Sequence, residues 1–206
     1  MSKRLDLDRT GKNFSRRWFI NRNLGDFSEN IPDDWAGKPV KYLEIGCFEG
    51  MSLCWMHQHI LTHPDSHSIG VDPWLMTRKL SSEKMEEVYQ QALANTKDYP
   101  CQLVRGSSDE VLGKMAGKGG YEGVQKNSLD ICMIDGNHRQ HAVLFDAQMV
   151  FKLMKPGGWI IFDDVRNSSR KSNHVLDGIR LWREADDPAI EMVWRGKFAD
   201  CYKVNK

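Results

Sequence analysis

The stretch Val40-Lys-Tyr-Leu-Glu-Ile-Gly-Cys-Phe-Glu-Gly50 constrains this chain's fold more than any other. Val40, Tyr42, Leu43 and Ile45 make an apolar run of strand length, and glycines follow at positions 46 and 50. From Met51 to Leu61 the pattern becomes helical. A strand that turns tightly on glycine into a helix N-terminus lets backbone approach a small ligand and offers it unpaired N–H groups.

Similar units recur downstream. Strands are predicted at Ser68–Asp72, Cys101–Val104, Leu129–Ile134 and Trp159–Phe162. Helices are predicted at Ser81–Asn95, with Ser82 as a cap, and at Asp109–Met115, Gln140–Met154 and His174–Glu184. Lys155-Pro-Gly-Gly158 reads as a helix stop. Glu191–Trp194 and Phe198–Val204 flank Arg195-Gly-Lys197 as a terminal hairpin. Strand and helix alternate about five times before that pair. This predicts an α/β fold: a doubly wound, mostly parallel seven-stranded sheet, helices on both faces, closed by an antiparallel hairpin. Residues 39–206 form that domain, and residues 1–38 an N-terminal arm with one short helix near Phe14–Asn21. The arm's aromatics either pack on the domain or form a lid that contacts substrate.

Two hundred and six residues suffice for one such domain with its own core. A net charge of +1 gives no global attraction to nucleic acid or an anionic membrane, so neither is expected as a partner. The basic residues Lys3, Arg4, Arg9, Lys12, Arg16 and Arg17 read as a solvated arm. Five cysteines without CxxC spacing, several inside apolar runs, suit buried thiols in a reducing compartment. No apolar run approaches the roughly 18 residues of a membrane span, and the start is too polar for a secretory signal. A cytoplasmic protein is expected, and a homo-oligomer is allowed.

In doubly wound sheets, ligands bind beyond the carboxyl ends of the strands, where strand order reverses. Glu44, Asp72, Ser107, Asp135 and Asp163 all fall at or just past such ends. A dinucleotide site would read GxGxxG under a pyrophosphate. Glu44 would repel that group, which disfavours NAD. S-adenosylmethionine carries no phosphate. Glu44 can serve its ammonium, turn N–H groups its carboxylate, and Asp72 its ribose hydroxyls. Alternatively, Gly46 and Gly50 only turn the chain and Asp72 caps a helix.

LEIGCFEGMSLCWM, VDPW and IDGNHRQHAVLFDAQMVFKLMKPGGWIIFDDV resemble the class I S-adenosylmethionine-dependent methyltransferases. Within these, the chain is most similar to the small-molecule O-methyltransferase branch of macrolide-sugar and cephalosporin-tailoring enzymes. The resemblance covers about residues 40 to 165, with a weaker echo at Trp18-Phe19. It implies a cofactor pocket lined by Glu44, Gly46, Cys47, Phe48, Glu49, Gly50, Asp72 and Asp135. It puts Ser107 and Ser108 near the adenine and Trp74 by the mouth. The family often has a tyrosine two residues after the histidine, where this chain has Gln140. The acceptor is therefore left open.

Methyl transfer to a hydroxyl needs a positioned and activated acceptor. Asp135, Asp163 and Asp164 gather three carboxylates at one sheet edge, and a hard cation such as Mg²⁺ would satisfy them. The resemblance implies such a metal in related members. In the alternative, one Asp faces the cofactor, another caps the next segment, and no metal binds. His138 is the candidate base, which the resemblance also implies; a cap or hydrogen-bond partner is the simpler role. The leading expectation is O-methylation of a small hydroxylated acceptor. N-methylation, a macromolecular acceptor, or a non-catalytic member that binds the cofactor are the alternatives. No Asn/Asp-Pro-Pro-Tyr/Phe element supports amino-group methylation, since Val165-Arg166 follow Asp164.

Overall fold

A computed structural model describes residues 11–77, 80–166, 173–186 and 189–206. Lys3, Arg4 and Arg9 of the basic run lie outside the described residues. Among the described residues, seven strands form one sheet: β1 (Lys41–Ile45), β2 (His67–Asp72), β3 (Cys101–Arg105), β4 (Leu129–Ile134), β5 (Met154–Phe162), β6 (Ile190–Arg195) and β7 (Asp200–Val204). Their spatial order is β3-β2-β1-β4-β5-β7-β6. β7 runs antiparallel to both β5 and β6, and the remaining neighbours are parallel. The order reverses between β1 and β4. The apolar runs of these two strands suit that centre, because sheet faces covered by helices must be apolar on both sides: Leu43, Ile45, Ile131 and Ile134 are all buried.

The helices are α1 (Trp18–Asn21), α2 (Asn23–Asn30), α3 (Met51–His59), α4 (Ser82–Thr96), α5 (Ser108–Ala116), α6 (Gln140–Leu153) and α7 (His174–Asp186). A 3₁₀ turn at Asp33–Trp35 follows α2. Four local features differ from expectation. Ser81, not Ser82, caps α4: its hydroxyl accepts from the Lys84 N–H at 3.3 Å. Lys155-Pro-Gly-Gly158 ends α6 but already belongs to β5, where Lys155 pairs with Asp130 at 2.7 Å. The pairing shifts register there, between Leu129 and Ile131, which absorbs the proline and glycines. α3 stops at His59, short of Leu61.

The fourth difference is α2, a second helix in the arm beyond the one short helix expected near Phe14–Asn21. Helix propensity is weak in NLGDFSEN, so tertiary contacts decide it. Phe27 is fully buried in a cluster with Phe19, Trp55 and Trp194, with ring centroids 5.2–6.5 Å apart. Beside it, the Asp26 carboxylate accepts the backbone N–H groups of Lys197, Phe198 and Ala199 at 2.8, 2.7 and 3.0 Å. That carboxylate fills the space against Gly196, where a Cβ would stand 2.3 Å from Asp26. The arm thus shares a core with the sheet and clamps the β6–β7 turn.

Candidate active site

A cleft of about 1100 Å³ opens at the carboxyl ends of the strands, across the β1/β4 reversal. Its floor is the glycine turn. Gly46 has φ +84°, and a Cβ there would lie 2.1 Å from the Asp135 carbonyl oxygen, so only glycine lets β1 and β4 end this close together. Phe48 takes φ +48° on the same turn. Gly46 and Phe48 both line the cleft.

Asp72, at the end of β2, also lines the cleft. It accepts the Phe48 N–H at 3.0 Å and the Trp74 N–H at 2.8 Å. Burial pushes its pKa up, and these two N–H groups draw it back. Two N–H donors hold the carboxylate in one orientation, with lone pairs left for a ligand.

Other expected cofactor residues stand behind this wall. Glu44 is buried, with one oxygen accepting from the Tyr42 hydroxyl at 2.7 Å and the other from the Ser52 hydroxyl at 2.5 Å. Burial raises its pKa to about 7. Ser52, not Glu44, lines the cleft. Glu49 turns away to accept the Ser15 N–H at 2.7 Å and holds the arm. Trp74 is buried, donating from Nε1 to the Phe48 carbonyl at 2.9 Å. Cys47 is buried as well. Gly50 caps α3 at φ +76°. Glu44, Cys47, Glu49, Gly50 and Trp74 therefore support the turn from outside the cleft.

Asp135, His138, Asp163 and Asp164 meet at one end of the cleft. Asp135 and Asp163 follow the adjacent strands β4 and β5 directly, and the Asp163 N–H donates to the Ile134 carbonyl at 3.1 Å. Enclosure raises both pKa values well above the usual carboxylate range, and mutual repulsion among these acids adds to it. One Asp163 oxygen, Oδ1, is buried without a hydrogen-bond partner. The His138 ring lies between Asp135, with Nε2 at 3.4 Å, and Asp164, with Nδ1 at 3.2 Å. Asp164, at φ +56°, also accepts from Arg22 Nη1 at 2.7 Å. Among the described residues, no three His, Cys, Asp or Glu side chains converge to hold a metal ion. Asp164 is drawn to Arg22 and His138 instead.

Ser107, Ser108 and Asp109 at the start of α5 form the opposite end, facing Ala142, Phe145 and Asp146 of α6. The arm contributes Trp18, Phe19, Arg22 and Asn23 to the carboxylate end. Trp18 lies with its ring 5.0 Å from that of Phe48 and stays 53% exposed, so an apolar face remains open to the cleft mouth. Sequence reasoning passed over Arg22, Asn23, Ser52 and Asp146. Ser52 carried a signal, standing in the first turn of the helix after the glycine turn. The other three are placed by long-range packing.

A doubly wound sheet whose ligand cleft opens at its switch point defines a class of α/β proteins that bind small ligands beyond the strand ends. The family profile described as a methyltransferase domain matches residues 43–165, and the chain belongs to that family. It is 28% identical over 139 residues to the uncharacterized protein R132 of Acanthamoeba polyphaga mimivirus, a match spanning 68% of this chain and 58% of the viral protein. The chain thus spans little more than half the length of that relative. Among solved structures, the O-methyltransferase TomG of Streptomyces achromogenes, in complex with SAM, superposes with TM-score 0.59 at 15% identity, covering 84% of this chain and 76% of that one. An O-methyltransferase from Bacillus cereus, in complex with SAH, gives TM-score 0.56 at 19% identity, covering 81% and 74%. The MycE methyltransferase of the mycinamycin pathway, with Mg and SAH, gives TM-score 0.61 at 17% identity, covering 97% of this chain and 53% of that one. These likenesses show a shared Rossmann-like methyltransferase fold. No helix among the described residues is long and apolar enough to cross a membrane.

Proposed function

We propose that the chain is an S-adenosylmethionine-dependent O-methyltransferase acting on a small hydroxylated acceptor. One observation carries this: a single cleft joins the Asp72 carboxylate, oriented by two N–H groups beside the glycine turn, to a cluster of acids and a histidine. In this reading Asp72 accepts both ribose hydroxyls. Ser52, backed by Glu44, faces the amino-acid end of the cofactor. The sulfonium then points toward Asp135 and His138.

The acceptor hydroxyl binds between that cluster and the arm, against Trp18. His138 takes its proton as the methyl group moves. The ring has only two nitrogens, and each now faces a carboxylate. Neutral imidazole can donate to one of them and keep the other nitrogen for the acceptor. Asp164, pinned by Arg22, is the natural partner for the donating nitrogen. Asp135 and Asp163 fit a hard divalent cation such as Mg²⁺: they are adjacent, they repel each other, and Asp163 Oδ1 lacks a partner. When bound, that cation supplies Lewis-acid polarisation of the acceptor oxygen.

The test is transfer of labelled methyl from S-adenosylmethionine to a panel of small phenols and sugars, with and without Mg²⁺, preceded by calorimetry with S-adenosylhomocysteine. Binding that falls about 10- to 100-fold in Asp72→Asn, and turnover lost in His138→Ala, are expected. Failure of the wild type to bind S-adenosylhomocysteine sinks the reading. Turnover indifferent to Mg²⁺ removes the metal alone.

A further inference from the structure

Asn23 opens α2 and reaches the carboxylate end of the cleft from the arm. It is 2% exposed, and its Oδ1 is shielded from water without a hydrogen-bond partner. The side chain is hydrogen-bonded to the Asp163 carboxylate, and since Oδ1 takes no part, the donor is Nδ2. The amide cannot turn over, because that would set Oδ1 against a carboxylate. Its backbone is held on both sides, by Arg22 on Asp164 at 2.7 Å and by Asp26 on the β6–β7 turn. A buried carbonyl oxygen without a donor loses its hydration for nothing, and is rare in a native fold unless a ligand completes it.

The reacting hydroxyl cannot complete this oxygen. A hydroxyl carries one proton, and in the function proposed above that proton goes to His138. His138 contacts Asp164 at 3.2 Å, and Asn23 binds Asp163, the preceding residue, so the base and the bare oxygen flank the same small volume. We propose that Asn23 Oδ1 accepts a hydrogen bond from a second donor on the acceptor, an O–H or N–H on the atom next to the carbon that bears the methylated oxygen. The proposal rests on the function proposed above. It narrows the acceptor from any small hydroxylated molecule to a hydroxyl flanked by a free hydroxyl or amine. A neighbouring ether or halide brings no proton and leaves Oδ1 bare in a dry site, where the missing bond discriminates strongly. This methylation therefore follows the reaction that installs the neighbouring group and precedes any that caps it. Once one oxygen of a pair is methylated, the other is rejected.

The experiment is calorimetry on the protein loaded with S-adenosylhomocysteine, in EDTA so that chelation of a cation plays no part. It compares catechol and ortho-aminophenol with ortho-fluorophenol, whose fluorine is close to a hydroxyl in size but brings no proton. The wild type is expected to bind the two donor ligands about 30-fold more tightly than the fluoro ligand. Asn23→Leu, similar in volume but without the oxygen, is expected to bring that ratio below about 3. The ratio is independent of the fraction of protein folded, so loss of the bond to Asp163 acting through stability alone leaves it unchanged. If Asn23→Leu does not fold, the wild-type ratio decides. Equal wild-type affinity for donor and fluoro ligands overturns the role of Asn23. So does an unchanged ratio in Asn23→Leu, the result if Oδ1 ligates a cation instead, and so does failure to bind any of these ligands. Each of those outcomes leaves the cofactor reading intact. Failure of the wild type to bind S-adenosylhomocysteine overturns the cofactor reading itself, and this role with it.

Discussion

Asp26→Ala should uncouple the N-terminal arm from the sheet. The Asp26 side chain touches nothing catalytic, yet it accepts three consecutive backbone N–H groups of the β6–β7 turn at 2.7–3.0 Å. Hydrogen bonds to a charged acceptor contribute about 1.5–3 kcal/mol each, and contributions from one group are not additive. Lys197 is exposed, so water can take over its N–H, whereas Ala199 is fully buried and its N–H is left bare. The loss of one buried and one half-buried bond predicts a destabilisation of about 3–4 kcal/mol. For a chain of this size that lowers Tm by roughly 6–16 °C. Urea unfolding and calorimetric melting measure it directly. Asp26→Asn keeps one acceptor oxygen and should recover about a third to a half of the loss. Because α2 carries the clamp and α1 with Arg22 carries the cleft contacts, acceptor KM should rise while affinity for S-adenosylhomocysteine holds. A destabilisation below about 1 kcal/mol, or an equal loss of cofactor affinity, would refute the view of the arm as a clamped wall of the acceptor end.

Gly46→Ala drives a Cβ to 2.1 Å from the Asp135 carbonyl oxygen at φ +84°, so the junction of β1 and β4 must part. A loss of about 3–5 kcal/mol by denaturant titration is expected, together with loss of cofactor binding. His57 is buried with its ring stacked on Tyr99 at 4.8 Å and its Nε2 2.8 Å from the Ser68 hydroxyl, and burial lowers its pKa from 6.5 to about 4. The unfolded chain takes up this proton below pH 6.5 and the folded chain only near pH 4. The contribution is therefore fully present above pH 6.5 and is lost as pH falls through that window, by roughly 3 kcal/mol. His57→Gln should flatten the stability profile between pH 6.5 and 4 relative to wild type, and parallel profiles would contradict the assignment.

The alternation of strand and helix patterns was enough to specify a doubly wound sheet, because each element's periodicity is a local property of a few neighbouring residues. The glycine turn was legible for the same reason: a positive φ at Gly46 and Gly50 is a demand that the chain makes on single positions. The strand-ending acids Asp72, Asp135 and Asp163 followed from topology, since parallel strands bring their carboxyl ends to one rim. Which acids face the cleft was decided only by partners distant in the chain or opposite in the fold. Glu44 looked equivalent to Asp72, but Tyr42 and Ser52 satisfy both its oxygens and hold it behind the wall. Asp164 read as one of three equivalent acids, but Arg22, 142 residues away in sequence, holds one of its oxygens. Asp26 reads as an ordinary surface acid until the β6–β7 turn, more than 170 residues later, closes over it. Asp146 sits in a helix whose pattern gives no hint that its carboxylate goes unpartnered. A carboxylate's chemistry is set by what else competes for its lone pairs, and that competition exists only once distant segments have packed.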